Sequence, residues 1–490
     1  MNENTLDLNP VEFRKLLNRS SDLVIEQFEQ IAEQKGYCAY SQQQVESWFN
    51  EPIPESGMEM EALLSYANEK VLQTATGNLG PHMYAYVMAG GTQVSIVAEK
   101  LAATINQHLG KWHLGPAMNE IEKRVVQWGA DMIGYAHNAG GVMVSGGSAA
   151  NLAGLTVARN VFFERLGVRK KGMFGIKPFA VYASNEVHGC VDKSLEILGI
   201  GTDQLRKIPT LADFSIDIGA LKQAIETDLD AGIQPFCVIG SAGTVNTGAI
   251  DDLNALADVA DQYSMWFHVD GAYGGLAACL PELKAQYTGI EKADSVAIDF
   301  HKWLYQTFEA GCVLVKDWST LKRAYYKEAD YLDTQAEEED GRLDFNKHYF
   351  QLSRNAKAFK VWMSIKAYGF AALRHMIQKD IDLARYLADQ VEAAADFELS
   401  ARSDLAIACF RYVGELTHED DIRELNQKLI PALEKDGRVF ITGTKLNGQF
   451  VIRACLINHR KNEATTNYLL QVIREVATTI LKPMESRIHE

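Results

Sequence analysis

Proline is scarce in this 490-residue chain, with 11 in all. No internal repeat and no Pro-, Gly- or Ser-rich linker interrupts it, which excludes collagen-like and low-complexity architectures. The seven cysteines (Cys38, Cys190, Cys237, Cys279, Cys312, Cys409, Cys455) are odd in number, scattered and without a C-x-x-C pair. That pattern argues against a disulfide framework or a zinc cage. Basic residues are in deficit, 48 Lys plus Arg against 64 Asp plus Glu, a formal net charge of -16. A field of that sign repels nucleic-acid backbones and anionic lipid surfaces, so no nucleic acid and no membrane are expected as partners. The longest stretch without Asp, Glu, Lys or Arg, from Val71 to Ala98, is broken by Gln73, Asn78, Pro81, His82 and several glycines, a poor membrane span. The start, MNENTLDLNPVEF, lacks the basic flank and apolar run of a signal peptide, and Glu3 and Asp7 disfavour a transit peptide. A cytoplasmic location is the expectation.

Hydrophobic residues make up 47% of the chain, enough for a sizeable core. Residues 1 to about 75 carry apolar positions at helical spacing and no strand-like run. From about 140 to 317 short apolar runs (FAVYAS, FCVIGSAG, MWFHVDG, SVAIDF, CVLVKD) alternate with helical patterns. Strands apolar on both faces, separated by helices, are what a parallel sheet covered on both sides requires. A polar, charged segment at 321–347 reads as a mobile loop. The end of the chain alternates strands and helices as a small α+β domain. The expected division is therefore 1–75, an N-terminal helical segment; 76–365, a large α/β domain; and 366–490, a small C-terminal α+β domain.

Four places carry chemistry. Ser145-Gly146-Gly147-Ser148 follows an apolar run and opens a helix, where free N–H groups and glycines suit an anion such as phosphate. Asp270 in HVDGAYGG lies at the end of an apolar strand, the edge of an open sheet where ligands bind. Its carboxylate there could hold a metal, act as a base, pair with a protonated heterocycle, or only cap a helix. Lys302 ends the strand SVAIDF beside aromatic residues, and a desolvated amine is a nucleophile toward carbonyls, as a Schiff base requires. His188, after FAVYAS, could stack on a flat ring, move protons, or merely start a helix. A phosphate cradle, a ring stacker, an acid for a ring nitrogen and a Schiff-base lysine on successive strand ends are the parts that pyridoxal 5'-phosphate needs.

The segments VSGGSAAN, NEVHGCVDKSLEILGIG, GSAGTVNTGAIDDL, HVDGAYGG, DSVAIDFHKWL and QLSRNAKAFKVW resemble, in order, those of the group II pyridoxal-phosphate decarboxylases, the family of aromatic amino acid, glutamate and diaminobutyrate decarboxylases. The resemblance covers roughly residues 75 to 365. It implies fold type I, a large mainly parallel seven-stranded sheet domain with an N-terminal helical segment that swaps across a homodimer, and active sites at the interface. It implies that Lys302 forms the Schiff base, Asp270 pairs with the pyridine nitrogen and His188 stacks on the ring. Ala272 resembles the small residue on the other ring face, Thr244 one near the cofactor, Gly147 and Ser148 phosphate ligands, with His301 close by. Asp299 stands where animal relatives carry Asn, and its role is left open. Tyr331 resembles a loop tyrosine that protonates the substrate carbon after carbon dioxide leaves. Pro81, His82, Met83, Tyr84 and Tyr86 resemble a pocket-lining stretch, although the family's His-Pro order is reversed here. His108 and Trp112 fall near a segment contacting the substrate side chain, and Arg354, in QLSRNAKAFKVW, is also taken as substrate-binding. The activity implied is decarboxylation of an L-amino acid, aromatic by a slight preference, to an amine. Rivals are an aldehyde synthase on the same scaffold, a decarboxylase of an acidic or diamino acid, a transaminase, and a catalytically silent binding protein.

Overall fold

In the computed structural model, which describes residues 6–327 and 341–488, the middle of the chain forms a seven-stranded sheet. Its strands are β1 (Gly140–Val144), β2 (Phe179–Ser184), β3 (Leu205–Ile208), β4 (Gln234–Ser241), β5 (Trp266–Gly271), β6 (Ser295–Asp299) and β7 (Gly311–Val315), in the order β1-β7-β6-β5-β4-β2-β3. β3, β2, β4, β5 and β6 run parallel, whereas β7 is antiparallel to both β6 and β1. Two reversals return β1 to the direction of the parallel strands. The carboxyl ends of β1, β2, β4, β5 and β6 therefore share one edge, and the four chemical segments of the sequence follow those ends.

The strands are apolar throughout because both faces are covered. Every residue of β1, β2, β5, β6 and β7 is buried. Phe163, Phe179 and Phe236 meet with ring centroids 4.9 to 5.6 Å apart on one side of the sheet. Truncating one such ring to Ala would cost about 3–5 kcal/mol.

The chain divides into two compact units, residues 89–388 with 401–409, and residues 1–88 with 389–400 and 410–490. The second unit holds helices α1 (Pro10–Glu29), α2 (Gln42–Phe49) and α3 (Met60–Ala67). These start at the side-chain caps Asn9, Ser41 and Glu59. A second sheet has the order β10-β11-β9-β8, from β8 (Phe397–Arg402), β9 (Ile407–Tyr412), β10 (Thr442–Leu446) and β11 (Gln449–Cys455). This grouping differs from the three-part division expected from the sequence. Residues 82–84 bond into the C-terminal region: the Phe440 N–H donates to the His82 carbonyl, the Tyr84 N–H to the Phe440 carbonyl and the Cys455 N–H to the Tyr84 carbonyl. Backbone bonds across more than 350 residues leave no periodicity in the sequence.

Candidate active site

β1 leads through Ser145 into helix α6 (Gly147–Phe162). Of the helices in the middle of the chain, those starting at Asp217, Asp252 and Asp317 are capped by a side chain, but α6 begins at Gly146 with none. Its first N–H groups are left for an anion. A Cβ on Gly147 would lie 2.7 Å from the Ala272 Cβ and 2.9 Å from Asp299 Oδ2, so a larger residue would have to displace one of them. A cavity of about 520 Å³ opens over this turn, lined by Ser145 to Ala149, His301, Phe308 and Glu309.

Asp270, on β5, is 8% exposed, and its Oδ1 accepts the Ala272 N–H at 3.2 Å. Lys302 Nζ lies 2.9 Å from Asp299 Oδ2, and His301 Nε2 is 3.6 Å from the same oxygen. Asp299 is buried and its Oδ1 has no hydrogen-bond partner. Its carboxylate, left open by the sequence, thus turns toward the lysine. His301 Nδ1 accepts the Ala310 N–H at 3.2 Å, its ring packs on Phe308 at 4.6 Å, and burial lowers its pKa.

His188 is exposed at the end of β2, and its Nδ1 accepts the Cys190 N–H at 3.2 Å. An acceptor at Nδ1 puts the proton of the neutral ring on Nε2. Beneath lies a buried hydrogen-bond chain. Trp266 Nε1 donates to Ser295 Oγ at 2.9 Å, Ser295 Oγ meets His268 Nδ1 at 2.7 Å, and His268 Nε2 meets Asn151 Oδ1 at 2.8 Å. Asn151 Nδ2 donates to Cys190 Sγ at 3.4 Å. Because Asn151 Oδ1 can only accept, His268 Nε2 carries the proton and Nδ1 receives the serine hydroxyl. Burial holds His268 down to about 4 against the pull of Asp270, and pushes the Cys190 thiol up to about 12. Both groups flanking Asp270 are therefore neutral, leaving its charge for a ligand. His268 and Asn151 were missed by sequence reasoning. The signals were period two along β5, which puts residue 268 on the face of Asp270, and one turn along α6 from Gly147 to Asn151.

Lys302, Asp270, His188, Ala272, Gly147, Ser148 and His301 all belong to the first unit, at the shared strand edge. The remaining expected site residues are held by contacts of their own. Thr244 is buried, and its hydroxyl is used within its own loop by the Ala249 N–H at 3.1 Å and Thr247 Oγ1 at 3.0 Å. Arg354 is buried and paired with Glu122. Tyr84 is wholly buried, donates to the Thr465 carbonyl at 2.8 Å and carries Lys461 Nζ 4.7 Å from its ring centre. Pro81 is also buried, and both residues serve the core of the second unit. His82 is half-buried against Tyr468, and burial lowers its pKa. His108 is half-buried, with Nδ1 accepting the Gly110 N–H at 3.1 Å, and Trp112 Nε1 donates to Glu120 at 2.9 Å. Tyr331 lies outside the described residues. No cluster of potential metal ligands occurs among the described residues.

The model of the pyridoxal-dependent decarboxylase conserved domain matches residues 43–413. Aromatic-L-amino-acid decarboxylase of Bacillus atrophaeus is 35% identical over 481 residues, covering 97% of each chain. Phenylacetaldehyde synthase of Petunia hybrida is 28% identical over 489 residues, covering 97% of this chain and 96% of that protein. The crystal structure of Oryza sativa TDC with PLP and tryptamine superposes with a TM-score of 0.91 at 26% identity, covering 97% of this chain and all of the other.

Proposed function

Because the chain belongs to the pyridoxal-dependent decarboxylase family, with amino acid decarboxylation as its activity and pyridoxal 5'-phosphate as its cofactor, we propose that its substrate is an aromatic L-amino acid, released as the amine and carbon dioxide. The similarity to the aromatic-L-amino-acid decarboxylase across nearly the whole of both chains carries this reading.

The residues fit the cofactor. Gly147, where a Cβ would crowd Ala272 and Asp299, and the uncapped first turn of α6 suit its phosphate, with Ser148 and His301 beside the same cavity. Ala272 leaves room for a flat ring. Asp270 keeps one oxygen for the Ala272 N–H and offers the other to a ring nitrogen. Lys302 is the amine for its aldehyde, and Asp299 orients that amine. When bound, the cofactor supplies an electron-withdrawing ring that accepts the electron pair left behind by the carboxylate. An ionised Asp270 keeps the ring nitrogen protonated, and the neutral His268 and Cys190 leave that charge uncompensated. His188 can donate from Nε2 to a substrate oxygen while its Nδ1 stays occupied. Tyr331 is proposed to return a proton to the substrate carbon.

The working form is proposed to be a cytoplasmic homodimer. Supporting it are large exposed apolar side chains on α1 (Val11, Phe13, Val24, Ile25) and on α4 (Gln93–Ile105: Val97, Leu101, Ile105). No helix among the described residues is long and apolar enough to cross a membrane. Sedimentation of the full chain at micromolar concentration should give the dimer mass.

An aldehyde synthase remains the second reading, favoured by the similarity to phenylacetaldehyde synthase. The cofactor-loaded protein, offered each proteinogenic amino acid, dopa and 2,4-diaminobutyrate, should release carbon dioxide with an aromatic substrate and no oxygen uptake. Matched oxygen consumption would establish the synthase instead, and release from a diamino or acidic substrate alone would overturn the aromatic reading. Tyr331→Phe should shift product from amine toward aldehyde and peroxide, and unchanged amine output would make the loop tyrosine structural.

A further inference from the structure

β1 lies at the edge of the large sheet, with β7 as its only neighbouring strand among the described residues and Met143 in register with Cys312. The open side of an edge strand must find partners for its backbone groups. At Met143 two side chains provide them. The Met143 N–H donates to Glu122 Oε1 at 2.9 Å, and the Met143 carbonyl accepts from Arg354 Nη2 at 2.9 Å. Arg354 Nη2 also bonds Glu122 Oε1, closing a three-membered clamp that occupies the place of an eighth strand. Glu122 is fully buried on α5 (Pro116–Met132), and the guanidinium of Arg354 lies 4.5 Å from the ring centre of Phe345. The Arg354 carbonyl accepts the Leu109 N–H at 2.9 Å, next to His108.

A buried ion pair is a poor source of stability, because desolvation offsets its attraction and apolar replacements are often neutral. This one is poorer still, since Arg354 Nη1 and Glu122 Oε2 are buried without hydrogen-bond partners. Its geometry is specific, however: it grips both backbone groups of one residue, two positions before Ser145. We infer that Glu122 and Arg354 are positioning residues for the phosphate cradle, acting through Met143 to fix the end of β1 so that Ser145 to Ser148 meet the cofactor phosphate in register. Neither residue lines the cavity over that turn. The inference rests on the reading of Ser145–Ser148 as the phosphate site.

A positioning role separates from a general structural one by comparing a ligand that has the phosphate with one that lacks it. The full chain, freed of cofactor, is titrated with pyridoxal 5'-phosphate and with pyridoxal, following absorbance and protein fluorescence. In Glu122→Met/Arg354→Met the Kd for pyridoxal 5'-phosphate should rise about tenfold or more, and that for pyridoxal should change less than about threefold. Arg354→Lys, which keeps a cation opposite Glu122, should restore most of the phosphate preference. If the double variant does not fold, Glu122→Gln should still lower the preference, by roughly threefold, through its weaker grip on Arg354. Equal shifts for both ligands, or none, overturn the inference while leaving the cradle intact, provided Ser148→Ala still separates the two ligands. If Ser148→Ala does not separate them, the cradle reading fails and the inference with it.

Discussion

Lys302 Nζ and Asp299 Oδ2 are 2.9 Å apart across one turn, and the carboxylate is almost fully enclosed while the lysine side chain is 20% exposed. The two partners are therefore unequal. Removing the lysine strands a buried carboxylate, whereas removing the carboxylate leaves a cation that can reach water. Lys302→Ala should destabilise the cofactor-free protein by about 3 kcal/mol, the usual result of breaking a buried pair from one side. Lys302→Ala/Asp299→Asn should recover most of that loss. Urea unfolding of the four proteins of the cycle measures the coupling, and additive effects would mean that the pair does not interact in solution.

Gly147 faces the Ala272 Cβ and Asp299 Oδ2 at distances that no real Cβ tolerates. Gly147→Ala must push one of them aside, at the wall of the cavity over α6. Cofactor affinity should fall at least about tenfold, an effect of the size expected for overpacking by a single methyl. Gly147→Ala/Ala272→Gly relieves the closer contact and should recover part of the affinity in the same titration.

The shared strand edge was legible because β1, β2, β4, β5 and β6 are short, apolar on both faces and followed by glycine or polar turns. Asp270 was legible because it stands at the end of such a strand, and Lys302 because it follows one within a single turn. Arg354 was not: its partner Glu122 is 232 positions away, and nothing local distinguishes a buried arginine from one that faces a ligand. The setting of Tyr84 was hidden for the same reason, since its hydroxyl partner is Thr465 and an aromatic residue in a glycine-rich stretch looks equally like pocket or core. Asp299 was visible only as a departure from a family pattern, and its orientation toward Lys302 needed coordinates. What remained hidden depends on tertiary contacts rather than on period or composition.

His268 links the site to stability. Its folded pKa is about 4, against an ordinary value of 6.5, because burial opposes its charged form. Between those values the unfolded chain binds a proton that the folded protein does not. The stability due to neutral His268 is therefore complete above about pH 6.5 and is lost as pH falls toward 4. His268→Gln cannot gain that proton, so its urea midpoint should fall less than that of the unaltered protein between pH 7 and pH 4.5. Equal slopes for the two proteins would show that the fold does not lower the pKa of His268.

His188 offers two functions that substitution can separate. Its Nδ1 accepts the Cys190 N–H at 3.2 Å, which orients the ring, and its Nε2–H makes no hydrogen bond among the described residues. Asparagine can keep an acceptor near Nδ1 but has no donor at the Nε2 position, whereas glutamine can place an amide N–H near Nε2. Neither retains a stacking ring. If donation from Nε2 to a substrate oxygen matters most, His188→Gln should keep roughly tenfold more kcat than His188→Asn, a loss of the size expected for one hydrogen bond to a charged group. If ring stacking matters most, both variants should lose kcat equally and both should bind the cofactor more weakly. Turnover of each variant, measured alongside its cofactor Kd, distinguishes the two roles of this imidazole.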